Sequence, residues 1–456
     1  MSMQANQSVF TKEQAAMSAI QTMSQSDLRA EAKRYLPGGV GATGRHNPCL
    51  GYALYLRNAE GCRIYDVDGK EYIDFNLAHG AAFLGYNHPA TREAMTAALD
   101  AGILAGYETE AHTDLARRIT EIIPCAERVR YGNTGSEGTM VCVRLARAHT
   151  GKHKILKFWG HFHGLYDYVM FNAHTPVTPV TPGSYIEPCG ESAGMPPQMD
   201  ELIIVVPWKD EAALERALRE HGDEIGGIIM EPINYNQGCI VADAEYMQFV
   251  RDQARAYDIV LIYDEVLSAF RTGPDCAQGY YGVTPDVCVL GKAVAAGAPL
   301  TVIAGKAEIM DQVGPLGEVA QSGTFTGNPP AVMTALAAVN ELTSPGFYDH
   351  IYEAGGRLCD GLVGLFERAG VPARVQGLGA RFGIFFGFTD PVERFDDSLN
   401  RDQEMTGRFI RACADKGVYF HDYGTLVAGH HGVSAQHTLD DIDEALNRVE
   451  SALHSM

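Results

Sequence analysis

Between residues 127 and 305 the chain repeats one unit, a short apolar run of strand length followed by a segment with helical spacing. Strand candidates fall at 127–131, 154–158, 202–206, 225–230, 258–263, 286–290 and 301–305, with helical patterns between them at 136–149, 211–221 and 243–257. Alternation of this kind predicts an α/β fold whose mostly parallel, seven-stranded sheet is covered by helices on both faces. Flanking segments read differently. Residues 1–36 form an amphipathic helical stretch, with Met17, Ile20, Met23 and Leu28 on one face, that ends at Pro37-Gly38-Gly39. It is expected either to pack on a partner subunit or to cap its own domain. Arg63–Phe75 reads as a hairpin turning at Asp68-Gly69. A long apolar helix at 331–342 leads into a region mixing helices with short strands such as 381–388, the pattern of a smaller α+β domain. The expected division is 1–75 for the arm and part of the small domain, 76–335 for the large domain, and 336–456 for the remainder of the small domain. The Pro/Thr/Gly-rich stretch 174–198 is the one long irregular loop, a length more often functional than idle.

The formal charge of −21 argues against nucleic acid as a partner, because phosphate binding needs clustered Lys and Arg. No stretch is apolar for the roughly 18 residues a membrane span requires, and the first residues carry no signal or transit pattern. Ten cysteines without a C-x-x-C pair read as reduced core residues. A cytoplasmic protein is expected.

Chemistry enters at the ends of two neighbouring strand candidates. The run from Ile259 ends in Asp264-Glu265, and Lys292 follows Asp264 by 28 residues, just after Asp286–Leu290. An acid and an amine so placed suit a cofactor that needs an anionic partner at a ring nitrogen and an amine for a Schiff base; pyridoxal phosphate is such a cofactor. The acid keeps the pyridine protonated, which lets the ring accept electrons. The lysine follows an apolar strand and precedes small residues, surroundings that weaken its hold on a proton. Upstream, Gly132-Asn133-Thr134-Gly135-Ser136 sits at a strand-to-helix turn, where free N–H groups and hydroxyls form an anion site. For each of these the plainer alternative is structural: a capping turn, an acid paired with Arg271, a surface lysine. Their coincidence favours the cofactor.

Most of the chain, from about residue 35 to 450, resembles the class III (subgroup II) aminotransferases of pyridoxal-phosphate fold type I, especially the glutamate-1-semialdehyde aminomutase branch. The resemblance rests on Asp66–Asp74, Asn133–Glu137, Glu231-Pro232, Asp264-Glu265-Val266 and Gly323–Pro329. It implies that Lys292 carries the cofactor and shuttles the proton, that Asp264 meets the pyridine nitrogen beside Val266, and that Thr134, Gly135 and Ser136 hold the phosphate. It further implies a homodimer with shared sites, Thr324 serving the partner's phosphate. Phe162 stands where the family stacks an aromatic on the ring, often tyrosine, and Glu231 and Asn236 are the nearby acid and amide.

Substrate residues follow from the same resemblance. Arg45 matches an arginine that grips the substrate carboxylate, a task suited to a guanidinium fork. His79 replaces a tryptophan common in aminomutases, and with Ser434–His437 is closer to D-phenylglycine aminotransferases. His163 and His430 complete the expected substrate set. No metal is implied, since His161 and His163 lack a Cys or carboxylate at ligand spacing. Two departures stand out: Val427 replaces an acid of the aminomutases, and Ala295–Ala298 replaces a glycine run after the lysine. The expected activity is transfer of an amino group between an α- or β-amino acid with an acidic or aromatic side chain and a 2-oxo acid (EC 2.6.1.-). Its alternative is an aminomutase (5.4.3.-) or racemase on the same scaffold. A cofactor-sensing DNA regulator would need a basic helix-turn-helix that residues 1–36 do not supply.

Overall fold

The computed structural model describes residues 23–177, 180–424 and 428–456. Seven strands form the central sheet: β1 (Arg128–Gly132), β2 (Lys154–Phe158), β3 (Ile203–Val206), β4 (Ile225–Met230), β5 (Val260–Glu265), β6 (Val287–Leu290) and β7 (Thr301–Gly305). Their spatial order is β1-β7-β6-β5-β4-β2-β3. Only β7 runs antiparallel to its neighbours, so the expected mostly parallel sheet is the one observed. Burial is two-sided. Leu261 and Tyr263 join one core with Met230 and Leu290, while Val260 and Ile262 join another with Cys142, Leu145 and Val289. Strands with both faces covered can be apolar at every position, which explains the continuous runs in the sequence.

The boundaries shift where backbone pairing and side-chain polarity disagree. β5 extends two residues past the expected 263, because Asp264 pairs with Val289 and Glu265 with Leu290 in the ladder. A carboxylate does not end a strand whose backbone bonds are satisfied. This register brings the carboxyl ends of β5 and β6 level, and Lys292 lies two residues beyond the last pair.

Besides a two-stranded pair, Ile233–Asn234 with Ile240–Val241, two smaller sheets lie beside the large one. The expected hairpin pairs Arg63–Asp66 with Glu71–Asp74, and Val418–Tyr419 adds to it in parallel, which brings C-terminal chain beside N-terminal chain. Ala373–Leu378, Arg381–Phe386 and His430–Gly432 form the other sheet. Near the start, the helix Gln25–Ala32 docks on its own chain: Gln25 bonds both the N–H and the carbonyl of Tyr55, and Arg29 stacks 3.6 Å over the Tyr52 ring. Met17 and Ile20 lie outside the described residues, as does Val427. Among the described residues no helix is long and apolar enough to cross a membrane.

Candidate active site

The site assembles at the carboxyl ends of β1, β4, β5 and β6. After β1 the chain turns into the helix Gly135–Thr150, with Thr134 as N-cap accepting the N–H of Glu137 at 3.2 Å. That bond orients the turn and leaves the first-turn N–H groups of Gly135 and Ser136 without intrahelical acceptors. Gly164, at φ +109, lies so close that a Cβ there would come within 2.5 Å of Ser136 Oγ. A Cβ on Gly135 would meet both Val266 methyls at 2.9 Å. The helix start is thus clamped between the loop after β2 and the end of β5.

Asp264 is 4% exposed, and its Oδ2 lies 2.8 Å from His163 Nδ1 while Oδ1 accepts the Val266 N–H at 3.1 Å. Burial drives the His163 proton affinity below its ordinary value despite the carboxylate. A neutral ring with its proton on Nδ1 satisfies that contact. Two residues earlier, His161 Nδ1 accepts the Glu231 N–H at 3.0 Å. The two histidines therefore pin the loop to the ends of β4 and β5, with Phe162 between them facing the cavity. Glu231 accepts the Phe162 N–H and the Asn236 amide, both at 2.8 Å. Its carboxyl is pushed up to about 8, by burial first and by the Asp264 charge second.

Lys292 occupies left-handed backbone at φ +44, a strained choice for a residue with a side chain and one that recurs at functional sites. Burial lowers its amine to about 8, although Asp264 and Glu231 favour the charged form. Of the sequence-predicted residues, Gly135, Ser136, Phe162, His163, Glu231, Asn236, Asp264, Val266 and Lys292 line one cavity of about 160 Å³. Thr134 does not line it; its side chain faces solvent and caps the helix.

The other predicted residues lie elsewhere. His79 follows Leu77 and Ala78 in a run of left-handed backbone (φ 56, 51 and 56) held by Asp74, which accepts the N–H groups of Asn76 and Leu77 at 2.8 and 3.0 Å. His79 Nδ1 meets the Tyr423 hydroxyl at 2.7 Å. His430 is buried, and its carbonyl accepts from Arg381 at 3.1 Å. The Lys292 charge lowers the proton affinity of both histidines further. Burial holds His79 down to about 3 and His430 well below its ordinary value, so both are neutral. Arg45 is exposed in the turn Thr43–Arg45, and Thr324 is exposed in its loop. Sequence reasoning did not find Arg381, Tyr423 or the pairing of His163 with Asp264. An arginine opening the apolar strand Arg381–Phe386 was the available signal for the first.

The model of the class-III aminotransferase family matches residues 46–453. The chain belongs to that family. A glutamate-1-semialdehyde 2,1-aminomutase of Staphylococcus saprophyticus is 36% identical over 430 residues, covering 93% of this chain and 97% of that protein. An omega-transaminase from Sphaerobacter thermophilus matches with a TM-score of 0.87 at 30% identity over 95% of this chain and 98% of its own. A transaminase solved with PLP bound matches at 0.82 and 27% identity, over 94% and 97% of the two chains. The protein is thus a fold type I enzyme, and its cofactor is pyridoxal 5′-phosphate. The residues present fit that group: a lysine with a weakened proton affinity, an acid held by a neutral histidine, and a helix start kept clear by two glycines. All three border a single cavity.

Proposed function

We propose that the protein is an aminotransferase that moves an amino group between a carboxylate-bearing α- or β-amino acid and a 2-oxo acid. The observation that carries this reading is the shared cavity of Lys292, Asp264 and the helix start at Gly135-Ser136. When bound, the cofactor supplies an electron sink for the carbon that loses its proton. Lys292 Nζ is assigned as its covalent anchor, and as the base that would take the proton from the substrate carbon bearing the amino group. An amine near 8 is partly neutral at physiological pH, as a base must be. Asp264 is assigned to the pyridine nitrogen, with His163 on its Oδ2 fixing the carboxylate in place. Glu231 holds the Phe162 backbone, and Phe162 is assigned to stack on the cofactor ring. Gly135 and Ser136 would hold the phosphate, with Thr324 reaching the partner's site in a homodimer. Arg45, His79 and His430 would border the substrate. The division at residues 75 and 335 and a cytoplasmic location belong to the same reading; ten free cysteines favour a reducing compartment.

The relative named as an aminomutase gives a second reading weight. Mixing the holoenzyme with an amino donor and no acceptor separates the two. An aminotransferase converts its cofactor to the amine form once, releases one equivalent of oxo acid, and stops. An aminomutase or racemase turns its substrate over with no net change in the cofactor spectrum. Absence of any spectral change with a broad donor panel, and of any isomerised product, would defeat both.

A further inference from the structure

Four arginines are buried among the described residues, and they fall into two pairs. Arg251 and Arg401 each face an aspartate, Asp286 at 2.9 Å and Asp422 at 3.1 Å. Arg271 and Arg381 face none. Arg381 is 1% exposed; its Nη2 touches His430 Nδ1 and carbonyl, while Nε and Nη1 have no partner. Arg271 is fully buried, donating to the carbonyls of Leu267 and Gly80, with Nη1 unpartnered. A buried charge without a counter-charge is costly, and a fold that can pair two arginines with aspartates has left two unpaired in one place.

That place borders the cavity of Lys292: Leu267, which lines the cavity, lies 3.0 Å from a Cβ built on Gly80. A Cβ on Gly80 would lie 3.2 Å from Arg381 Nη1 and 3.4 Å from Arg271 Nη2, so both guanidiniums converge over the one residue there without a side chain. Both oppose protonation of Lys292. Asp74, the acid acting on Arg381, has its oxygens occupied by two backbone N–H groups and the Tyr86 hydroxyl at 2.6 Å. His79 and His430 on that side are neutral, and Arg45, which acts on His79, adds to the positive charge. The region beside Lys292 is therefore positive and lacks a free carboxylate, whereas the acids assigned to the cofactor, Asp264 and Glu231, line the cavity at the ends of β5 and β4.

We infer that Arg381, with Arg271 adding to the positive field, is the anchor for the substrate's carboxylate and the residue that restricts this enzyme to carboxylate-bearing donors and acceptors. The inference builds on the aminotransferase reading and names the group that selects its substrate. Arg381 is desolvated, where one charge-assisted contact discriminates far more strongly. Its forked donors displace no existing ion pair when an anion arrives; they lose only the His430 contact.

The test uses the holoenzyme and an unreactive probe, 3-phenylpropanoate, with 3-phenylpropanamide as the uncharged control, both measured by calorimetry. Wild-type protein should bind the carboxylate, and Arg381→Met should weaken that binding by about 30-fold to 1,000-fold. The amide affinity should change by less than about threefold, and the cofactor's visible absorbance should be retained. Arg381→Lys keeps the charge and loses the fork, so it should fall between the two; if Arg381→Met fails to fold, this variant carries the test. Equal affinities for the carboxylate in wild type and either folded variant would overturn the assignment, as would parallel loss of carboxylate and amide binding. Binding of the probe needs no turnover. Failure of the aminotransferase reading would show separately, as an unchanged cofactor spectrum when an amino donor is added to wild type.

Discussion

Gly164→Ala tests how tightly the phosphate end of the site is built. A Cβ at this position would lie 2.5 Å from Ser136 Oγ and 2.9 Å from Ser136 Cα. The hydroxyl can rotate away, but the Cα belongs to the first turn of a helix packed on the sheet and cannot. Residue 164 also has φ +109, where an L side chain is strained by roughly 1–3 kcal/mol. Overpacking adds about 1–3 kcal/mol, giving a total of about 2–6 kcal/mol. Part of the strain is relieved by moving Ser136, which breaks the Leu165 N–H to Ser136 Oγ bond of 3.0 Å and shifts the N–H groups assigned to the phosphate. Both unfolding temperature and cofactor affinity should therefore fall, the first read by thermal melting and the second by absorbance titration of the apoenzyme. Gly151→Ala is the control: it has φ +71 and nothing within 4 Å of its Cβ position, so it should cost about 1 kcal/mol and leave cofactor affinity unchanged. If Gly164→Ala matched Gly151→Ala in both measurements, the close packing of Gly164 on Ser136 would have no bearing on the site.

Further outcomes follow from the same geometry. Lys292→Ala should abolish turnover while its circular dichroism and melting stay near wild type; measurable activity would refute its assigned role. Asp264→Asn should keep the cofactor but lower kcat by about 10²–10⁴, because the electron sink loses its counter-charge. The amine of Lys292 reacts only when neutral, and burial lowers it to about 8. Capture of pyridoxal phosphate by the apoenzyme, followed by absorbance, should therefore accelerate about tenfold per pH unit below that value and level off above it. A rate still climbing beyond pH 10 would mark an ordinary lysine. Arg401→Ala leaves Asp422 buried without its partner at 3.1 Å and should destabilise the protein by about 3–5 kcal/mol in denaturant titrations.

The sheet was legible because apolar runs of strand length carry their own signal, and β2, β4 and β7 begin and end at the expected residues. β5 was read two residues early at both ends, as 258–263, since composition reports polarity while strands end where backbone pairing ends. The residues grouped around the cavity were recognised from short contiguous motifs, whose spacing survives folding. The contact between His163 and Asp264 spans 101 residues of chain and leaves no trace in either motif. His163 accordingly read as a substrate contact, and the structure ties it to the acid. Arg381 was missed for a related reason: a lone charge in an apolar strand signals burial, but only three-dimensional packing shows that no aspartate forms an ion pair with it.

The central claim is that Lys292 carries the cofactor, and the chain supplies its own competitor in Lys157. That lysine is also buried with its amine lowered to about 8, but it donates to the carbonyls of Val169 and Phe171 and does not line the cavity. Borohydride reduction of the holoenzyme followed by peptide mass mapping distinguishes the two directly. A single pyridoxyl adduct on the peptide containing Lys292 is the predicted result, and an adduct on Lys157, on any other lysine, or on none would contradict it.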